Sequence, residues 1–186
     1  MIHTYKLQDF CTRYGLLEHD TYLLSQHLPS GVWIAGGAVR DMISGIPIRS
    51  DVDYFFNSKD KLLDYLPESA KEVNTNYVWF DDTDLKHQAI GIDYYPDARA
   101  LLETFDFTIC MAAVDKNNLY VGQYTLHDIA RKRLQVNKIT YGAASVRRCF
   151  KYMQYGFTAC HGCLTELLKQ VSDNPSTLTT EVKYVD

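Results

Sequence analysis

The sequence predicts an α+β fold: a small mixed sheet of three to five strands, helices mainly on one face, and a helical C-terminal segment. Strand-like runs rich in β-branched and aromatic residues, at 32–35, 51–56 and 105–114, are separated by stretches with helical spacing. Helical spacing then dominates from Gly142 to Val171. The length of 186 residues suits one ordinary domain with at most a small helical appendage.

The individual elements follow from apolar periodicity and turn residues. In chain order we expect a helix over 5–28 that is broken near Gly15, a strand over 32–35, a short helix over 38–44, a central strand over 51–56, a helix over 59–66, strands over 72–80 and 87–94, a helix over 98–104, strands over 105–114 and 119–124, and helices from Thr125 through Leu134, over 142–155 and over 158–171. Ser58 and Asp97 precede two of these helices and are expected to cap them.

The chain is organised around the stretch from Val32 to Phe56. Gly36 and Gly37 follow the first strand and let backbone N–H groups approach an anionic ligand where a helix begins. Asp51 and Asp53 are two residues apart on the next strand, so they point to the same side. A divalent cation would keep both carboxylates ionised, and Mg²⁺ suits oxygen ligands. Alone, either feature is more often a plain turn or a solvated strand edge, but their order in one unit favours a nucleoside triphosphate (NTP) site.

This unit, Gly-Gly-Ala-Val-Arg-Asp from Gly36 to Asp41 followed by Asp-Val-Asp from Asp51 to Asp53, resembles the active-site signature of the DNA polymerase beta nucleotidyltransferase superfamily. It is most similar to the head of the bacterial-type tRNA nucleotidyltransferase/poly(A) polymerase family. The resemblance implies that two catalytic Mg²⁺ ions are bound by Asp51 and Asp53. It also implies that the triphosphate of the NTP is held by Gly36, Gly37 and Arg40.

A third carboxylate is expected from the predicted strand over 105–114. Asp106 lies there between two phenylalanines, and its burial is costly without a partner. The segment Phe105-Asp106-Phe107-Thr108-Ile109 resembles the Arg-Asp-Phe-Thr-Ile-Asn-Ala motif of the same family, which implies that Asp106 completes the metal site. Asp93 is the reserve candidate. The base-reading Glu-Asp-x-x-Arg of that family is absent around 140–144, so the resemblance implies no preference among NTPs.

Basic residues towards the C-terminus are the remaining site candidates. The helix predicted over 142–155 carries three cations that we expect to approach the triphosphate or the base, namely Arg147, Arg148 and Lys151. A second basic group is more often a solvated face and consists of Arg131, Lys132 and Arg133. With the family resemblance, the expected organisation is a nucleotidyltransferase head over 1–123, a helical neck-like segment over 124–171 and a flexible tail over 172–186.

Composition limits the partners and the compartment. The net charge of −4 neither supports nor excludes nucleic acid, so any basic surface must be local. No run approaches the roughly 20 apolar residues of a membrane span, and the N-terminus lacks a signal-peptide pattern, so we expect a cytoplasmic protein. Five scattered cysteines favour reduced thiols. Cys160-His161-Gly162-Cys163 could be half of a zinc site, but without a second half ordinary thiols are favoured.

The expected function is transfer of a nucleoside monophosphate from an NTP to an acceptor hydroxyl, with an RNA 3′ end favoured, two Mg²⁺ ions and release of pyrophosphate. One alternative is nucleotidylation of a protein side chain, for example AMPylation. The other is a catalytically degenerate module that binds nucleotides or partners. Family members grip tRNA with a large helical body for which this chain has no room, so we expect weak, length-insensitive RNA binding unless a homo-oligomer or partner protein adds surface.

Overall fold

An eight-stranded mixed sheet forms the centre of the structure, a computed structural model that describes residues 1–16 and 28–179. Its strands are β1 Ile2–Lys6, β2 Val32–Ala35, β3 Val52–Phe56, β4 Lys71–Val73, β5 Asn76–Phe80, β6 Lys86–Ala89, β7 Ala112–Val114 and β8 Asn118–Gly122. They lie in the order β1-β8-β7-β2-β3-β6-β5-β4, and only the pair β3 and β6 is parallel. The α+β class and the central position of the strand after Asp51 are confirmed. The sheet is larger than expected because β1 and the β4–β5 hairpin extend it at opposite edges.

Helices connect these strands and continue beyond them. The described helices are α1 Leu7–Tyr14, α2 Gly37–Ile43, α3 Lys59–Tyr65, α4 Ala98–Leu102, α5 Thr125–Ala130, α6 Gly142–Gln154, α7 His161–Asp173 and α8 Ser176–Thr179, with a 3₁₀ turn at Thr108–Cys110. A small parallel pair joins β9 Arg133–Leu134 to β10 Thr158–Ala159. Both predicted caps form, since Ser58 accepts from the Lys61 N–H at 3.2 Å and Asp97 from the Ala100 N–H at 2.8 Å. None of the described helices is long and apolar enough to cross a membrane.

Side chains of β3 alternate between the two faces of the sheet. Tyr54 and Phe56 belong to the larger core, which buries the apolar sides of α1, α2 and α3. Phe55 packs on the opposite face, in a smaller core with Leu101 of α4. Helices therefore lie mainly on one face, as predicted. Asp53 points to the less covered face, where room for a ligand remains.

A third core joins the C-terminal helices to the segment before β7. It contains Phe107 and Ile109 from that segment and Cys149 and Leu167 from α6 and α7. Because both sides share this buried cluster, α6 lies against the segment that carries Asp106. This packing brings residues about 40 positions apart into one site, as the Ser145–Asp106 and Arg148–Asp106 separations of 39 and 42 residues show.

Several sequence predictions are corrected by the structure. The strand expected over 72–80 is the β4–β5 hairpin, the helix expected from Thr125 through Leu134 ends at Ala130, and residues 158–159 of the last predicted helix form β10. The helix expected over 5–28 starts as strand β1, which pairs with β8, and becomes helical only at Leu7; residues 17–27 of that prediction lie outside the described part, as do residues 180–186 of the predicted tail. The strand expected over 105–114 is reduced to β7. Thr108 is held instead by buried hydrogen bonds, from its hydroxyl to Asp128 at 2.6 Å and from the Thr125 hydroxyl to its carbonyl at 2.8 Å.

Candidate active site

A cavity of about 380 Å³ lies between the sheet and α6, within the range typical of small-molecule sites. Eight of the nine predicted site residues line it: Gly36, Gly37, Arg40, Asp51, Asp53, Asp106, Arg148 and Lys151. Asp93, the reserve carboxylate, lines it as well. Arg147 does not, since it lies on the exposed side of α6. A larger cavity of about 580 Å³ contains none of these residues, so size alone does not identify the site.

The two glycines shape one end of this cavity. Gly36 has φ +85°, and a Cβ there would lie 3.2 Å from the Phe105 ring. A Cβ on Gly37 would collide with the side chain of Ser50. The Gly36 N–H donates to the Ala112 carbonyl at 3.0 Å, so it is used within the fold. A phosphate at this turn would therefore have to use the amides from Gly37 onwards, because the first turn of a helix leaves its N–H groups without intrahelical acceptors.

Asp51 and Asp53 form the floor of the cavity. Asp51 precedes β3 and accepts a hydrogen bond from the Lys86 ammonium at 2.6 Å. Asp53 is half-buried within β3, opposite Ala35 of β2 and Gln88 of β6. The sequence did not indicate Lys86, because the parallel pairing of β3 with β6 cannot be read from local spacing. Two carboxylates with this spacing fit an Mg²⁺ ion that arrives with a triphosphate, since proteins commonly hold Mg²⁺ through one or two carboxylates plus substrate phosphates.

Asp106 also lines the cavity but faces α6. One of its oxygens, Oδ2, accepts from Arg148 Nη1 at 2.8 Å and from the Ser145 hydroxyl at 2.9 Å. The residue is only 7% exposed, so this pairing compensates the cost of burying its charge. In the described ranges, no group of three or more His, Cys, Asp or Glu side chains is arranged to hold a metal ion. The three predicted carboxylates thus line one cavity without forming a ready-made cluster.

Arg40 is buried against the cavity wall and is 1% exposed. Its Nε and Nη2 donate to one oxygen of the equally buried Asp41, at 3.0 and 2.9 Å, and Nη2 also donates to Ser50 at 3.2 Å. Its guanidinium lies 5.3 Å from the ring centre of Tyr152 in α6. Burial raises the pKa of the Tyr152 hydroxyl and of the neighbouring Cys110 thiol, so both stay neutral at pH 7. These contacts favour a structural role for Arg40, fastening α2 to α6.

The cavity is lined by charged residues of both signs. The lining contains five basic residues, Arg40, Arg49, Lys138, Arg148 and Lys151, and four acidic ones, Asp51, Asp53, Asp93 and Asp106. A metal–triphosphate ligand matches this mixture, because its cation can face carboxylates while its phosphates face the basic groups. The sequence did not indicate Lys138 or Arg49, since both lie in segments without a recognisable pattern.

Comparison with known proteins gives the family. A sequence profile described as "Gabija anti-defense 2 family protein" matches residues 1–132. The protein named Gabija anti-defense 2 from Bacillus phage SPbetaL7 is 31% identical in a 137-residue alignment that covers 67% of this chain and 33% of that protein. This chain therefore spans about a third of the curated relative.

The fold is similar to that of solved CCA-adding enzymes. One, in complex with ATP, gives a TM-score of 0.62 at 17% identity over 91% of this chain and 45% of the enzyme. The Thermotoga maritima enzyme complexed with tRNA gives 0.62 at 16% identity, over 91% and 46%. This likeness shows a nucleotidyltransferase fold. The chain spans just under half of the length of each of these two enzymes. The sequence profile matches most of the chain and leads to one assignment: the chain belongs to the Gabija anti-defense 2 family.

Proposed function

We propose that this protein is a metal-dependent nucleotidyltransferase, which moves a nucleoside monophosphate from an NTP to an acceptor hydroxyl and releases pyrophosphate. The observation that carries the proposal is the meeting of the Gly36–Gly37 turn with Asp51 and Asp53 in one cavity of suitable size. The nucleotidyltransferase fold supports it, since solved relatives of that fold include a CCA-adding enzyme in complex with ATP.

Each side chain has a definite task in this reaction. The carboxylates of Asp51 and Asp53 would hold the cation of a metal–triphosphate ligand, and the amides from Gly37 onwards would face its phosphates. Arg148 and Lys151 of α6 balance phosphate charge from the opposite side. Bound Mg²⁺ ions would lower the pKa of the attacking hydroxyl and stabilise the leaving oxygens. The hydroxyl oxygen attacks the α-phosphorus, the α–β bridging bond breaks, pyrophosphate leaves, and the hydroxyl proton passes to solvent.

The proposal gives Asp106 a part in cation binding that depends on a movement of Arg148. Its Oδ2 is shared by Arg148 and Ser145, so it can contribute to cation binding only after Arg148 turns towards the phosphates. Arg147 has a different role, because it is exposed and off the cavity. We assign it, with Arg131, Lys132 and Arg133, to a local basic surface for an RNA acceptor. Few phosphate contacts are available there, so RNA binding would be weak and shallow in its salt dependence unless a second copy or a partner adds surface.

The acceptor has two candidates. An RNA 3′ end is supported by fold similarity, since one solved neighbour is a CCA-adding enzyme complexed with tRNA. A protein side-chain hydroxyl is the second candidate, because the family description as anti-defense is compatible with a protein target. A purely binding role without chemistry is the third candidate, and the paired acids of the cavity argue against it. We further assign residues 1–123 to the catalytic head and residues 124–171 to a neck-like segment, which contains Arg148 and Lys151.

The test is transfer of label from each α-labelled NTP, with Mg²⁺, to total RNA and to total host protein. Wild type should label one of the two, and digestion with ribonuclease or protease then identifies the acceptor. The double variant Asp51→Ala/Asp53→Ala should label neither. If wild type and double variant behave identically, the proposed chemistry is wrong, and retained NTP binding by both would leave the binding role.

A further inference from the structure

One polar side chain of the cavity has no role in the arrangement above. Gln88 of β6 is 2% exposed, and its Nε2 is the single buried side-chain nitrogen or oxygen atom without a hydrogen-bond partner in the described parts of the chain. It lines the same cavity as Asp53. Leaving a buried amide unpaired is unfavourable, and native structures rarely keep such a group without a reason. Because Gln88 lines the cavity, a ligand bound there is the available partner for this amide.

The register of the sheet fixes where this amide lies. Ala35, Asp53 and Gln88 stand side by side on β2, β3 and β6, with Asp53 in the middle. Neighbouring strands are about 4.8 Å apart, so the amide is close to the Asp53 carboxylate. The glycine turn at Gly36 directly follows Ala35. Gln88 and the glycine turn therefore lie on opposite sides of Asp53.

This placement assigns Gln88 to one side of the reaction. In phosphoryl-type transfer, the attacking and leaving oxygens are roughly in line on opposite sides of the phosphorus. Under the proposed function, the leaving pyrophosphate lies at the glycine turn. The attacking oxygen must then approach from the side of β6, where Gln88 lies beside Asp53.

We propose that Gln88 binds the acceptor hydroxyl and orients it towards the α-phosphorus, an inference that rests on the proposed function. A primary amide offers both a donor and an acceptor, as a hydroxyl group does, so the two can pair in either orientation of the amide. Gln88 takes no proton, because a neutral amide is not a base at pH 7. The hydroxyl oxygen forms the new bond to phosphorus, and its proton leaves to solvent past the Asp53 carboxylate.

The first test compares Gln88→Met with wild type, using MgATP, MgCTP, MgGTP and MgUTP and the acceptor fraction that wild type labels. The nearly isosteric variant should keep the NTP dissociation constants within about twofold, while kcat/KM for the acceptor falls about tenfold or more, as expected for one lost hydrogen bond. The melting temperature should stay equal or rise, because an unpaired buried amide is removed. Gln123→Met, at an exposed position, is the matched control and should change none of these values.

Each outcome decides the inference. An inactive wild type removes the proposed function and this inference with it. An active wild type with an equally active Gln88→Met removes only the inference. Weakened NTP binding with unchanged acceptor kinetics would move Gln88 to the nucleotide side and overturn it, and a lower melting temperature with lost activity would indicate a packing role.

A second variant tests the placement without activity. Gln88→Glu sets a carboxylate beside Asp53, and two close carboxylates bind a divalent cation better than one does. Calorimetric titration with Mn²⁺ in the absence of nucleotide should show about tenfold tighter binding than wild type. The same affinity in both proteins would mean that residue 88 does not reach the Asp53 carboxylate, which would contradict the inference.

Discussion

The two walls of the cavity differ in charge and in construction. The sheet wall carries Asp53 and Gln88 on paired strands and Asp51 directly before one of them, within the residues that match the family profile. The helical wall carries Arg148 and Lys151 on α6, beyond that match. The acids of the sheet wall thus lie on or directly before a hydrogen-bonded strand, while the two bases of the helical wall lie on one helix. Under the proposed function, the sheet wall would set the chemistry and the helical wall would adjust access and phosphate affinity.

The largest expected effect comes from the sheet wall. Asp53→Asn keeps the shape of the side chain and removes its charge, so transfer should fall by about a thousandfold, because the charge stabilisation that a bound metal supplies is worth several kcal/mol. The measurement is the initial rate of label transfer at saturating NTP. Asp82→Asn, in an exposed turn, is the control and should keep the wild-type rate. A rate within tenfold of wild type for Asp53→Asn would mean that the sheet wall does not set the chemistry.

The second effect tests the contact that fastens the two walls. Arg40→Met removes the buried cation beside Asp41 and leaves this carboxylate its contacts with Arg49, and breaking a buried pair in this way typically costs about 3–5 kcal/mol of unfolding free energy. Urea unfolding measures it, with the exposed Arg131→Met as control. Adding Asp41→Asn to Arg40→Met should recover part of the loss. Unchanged stability together with weaker NTP binding would show instead that Arg40 binds the triphosphate.

The third effect lies on the helical wall. Arg148→Met removes the cation 2.8 Å from Asp106, so we expect the KM for NTP to rise about tenfold and the unfolding free energy to fall by about 1–2 kcal/mol. Arg147→Met is a matched control on the same helix, exposed and off the cavity, and should change stability by less than about 0.5 kcal/mol. A double-mutant cycle with Asp106→Asn should give a coupling of about 0.5–3 kcal/mol. Equal effects of the two arginine variants would contradict the distinction between them.

The smallest expected effect concerns how the stability of the fold depends on acid pH. Partial burial works to raise the pKa of Asp81, but hydrogen bonds from Thr83, His87 and Leu85 lower it to about 2. Because the folded-state pKa lies below the ordinary value near 3.8, this stabilisation is present above that pH and is lost as pH falls towards 2. Asp81→Asn should flatten the decline of urea-measured stability between pH 4 and 2. Parallel curves for the two proteins would show that Asp81 contributes nothing.

Local spacing predicted the sheet wall well. Gly36 and Gly37 directly follow one strand, and Asp51 and Asp53 lie at the start of the next. Chain connectivity alone therefore brings them together. Their participation in catalysis remains a prediction. The same reasoning could not show that the Gly36 amide is already bonded to Ala112, because β7 enters the sheet from about 75 residues further along the chain.

Contacts between distant segments explain what the sequence did not predict. Asp106 was expected on a strand, but the buried bonds of Thr108 turn that segment away, and α6 then supplies Arg148 as its partner. The sequence around Arg40 does not reveal whether its side chain is buried or exposed, so only the packed structure shows its pairing with Asp41. Gln88 was missed because a parallel register has no local sequence signature.

The position of the label in the NTP tests the central claim most directly. Wild type is incubated with Mg²⁺ and an NTP labelled at either the α- or the γ-phosphate, beside the double variant Asp51→Asn/Asp53→Asn. The account predicts that α-label enters the acceptor with wild type only, while γ-label is recovered as pyrophosphate. Label from the γ-phosphate on the acceptor, or equal α-label with the double variant, would contradict it.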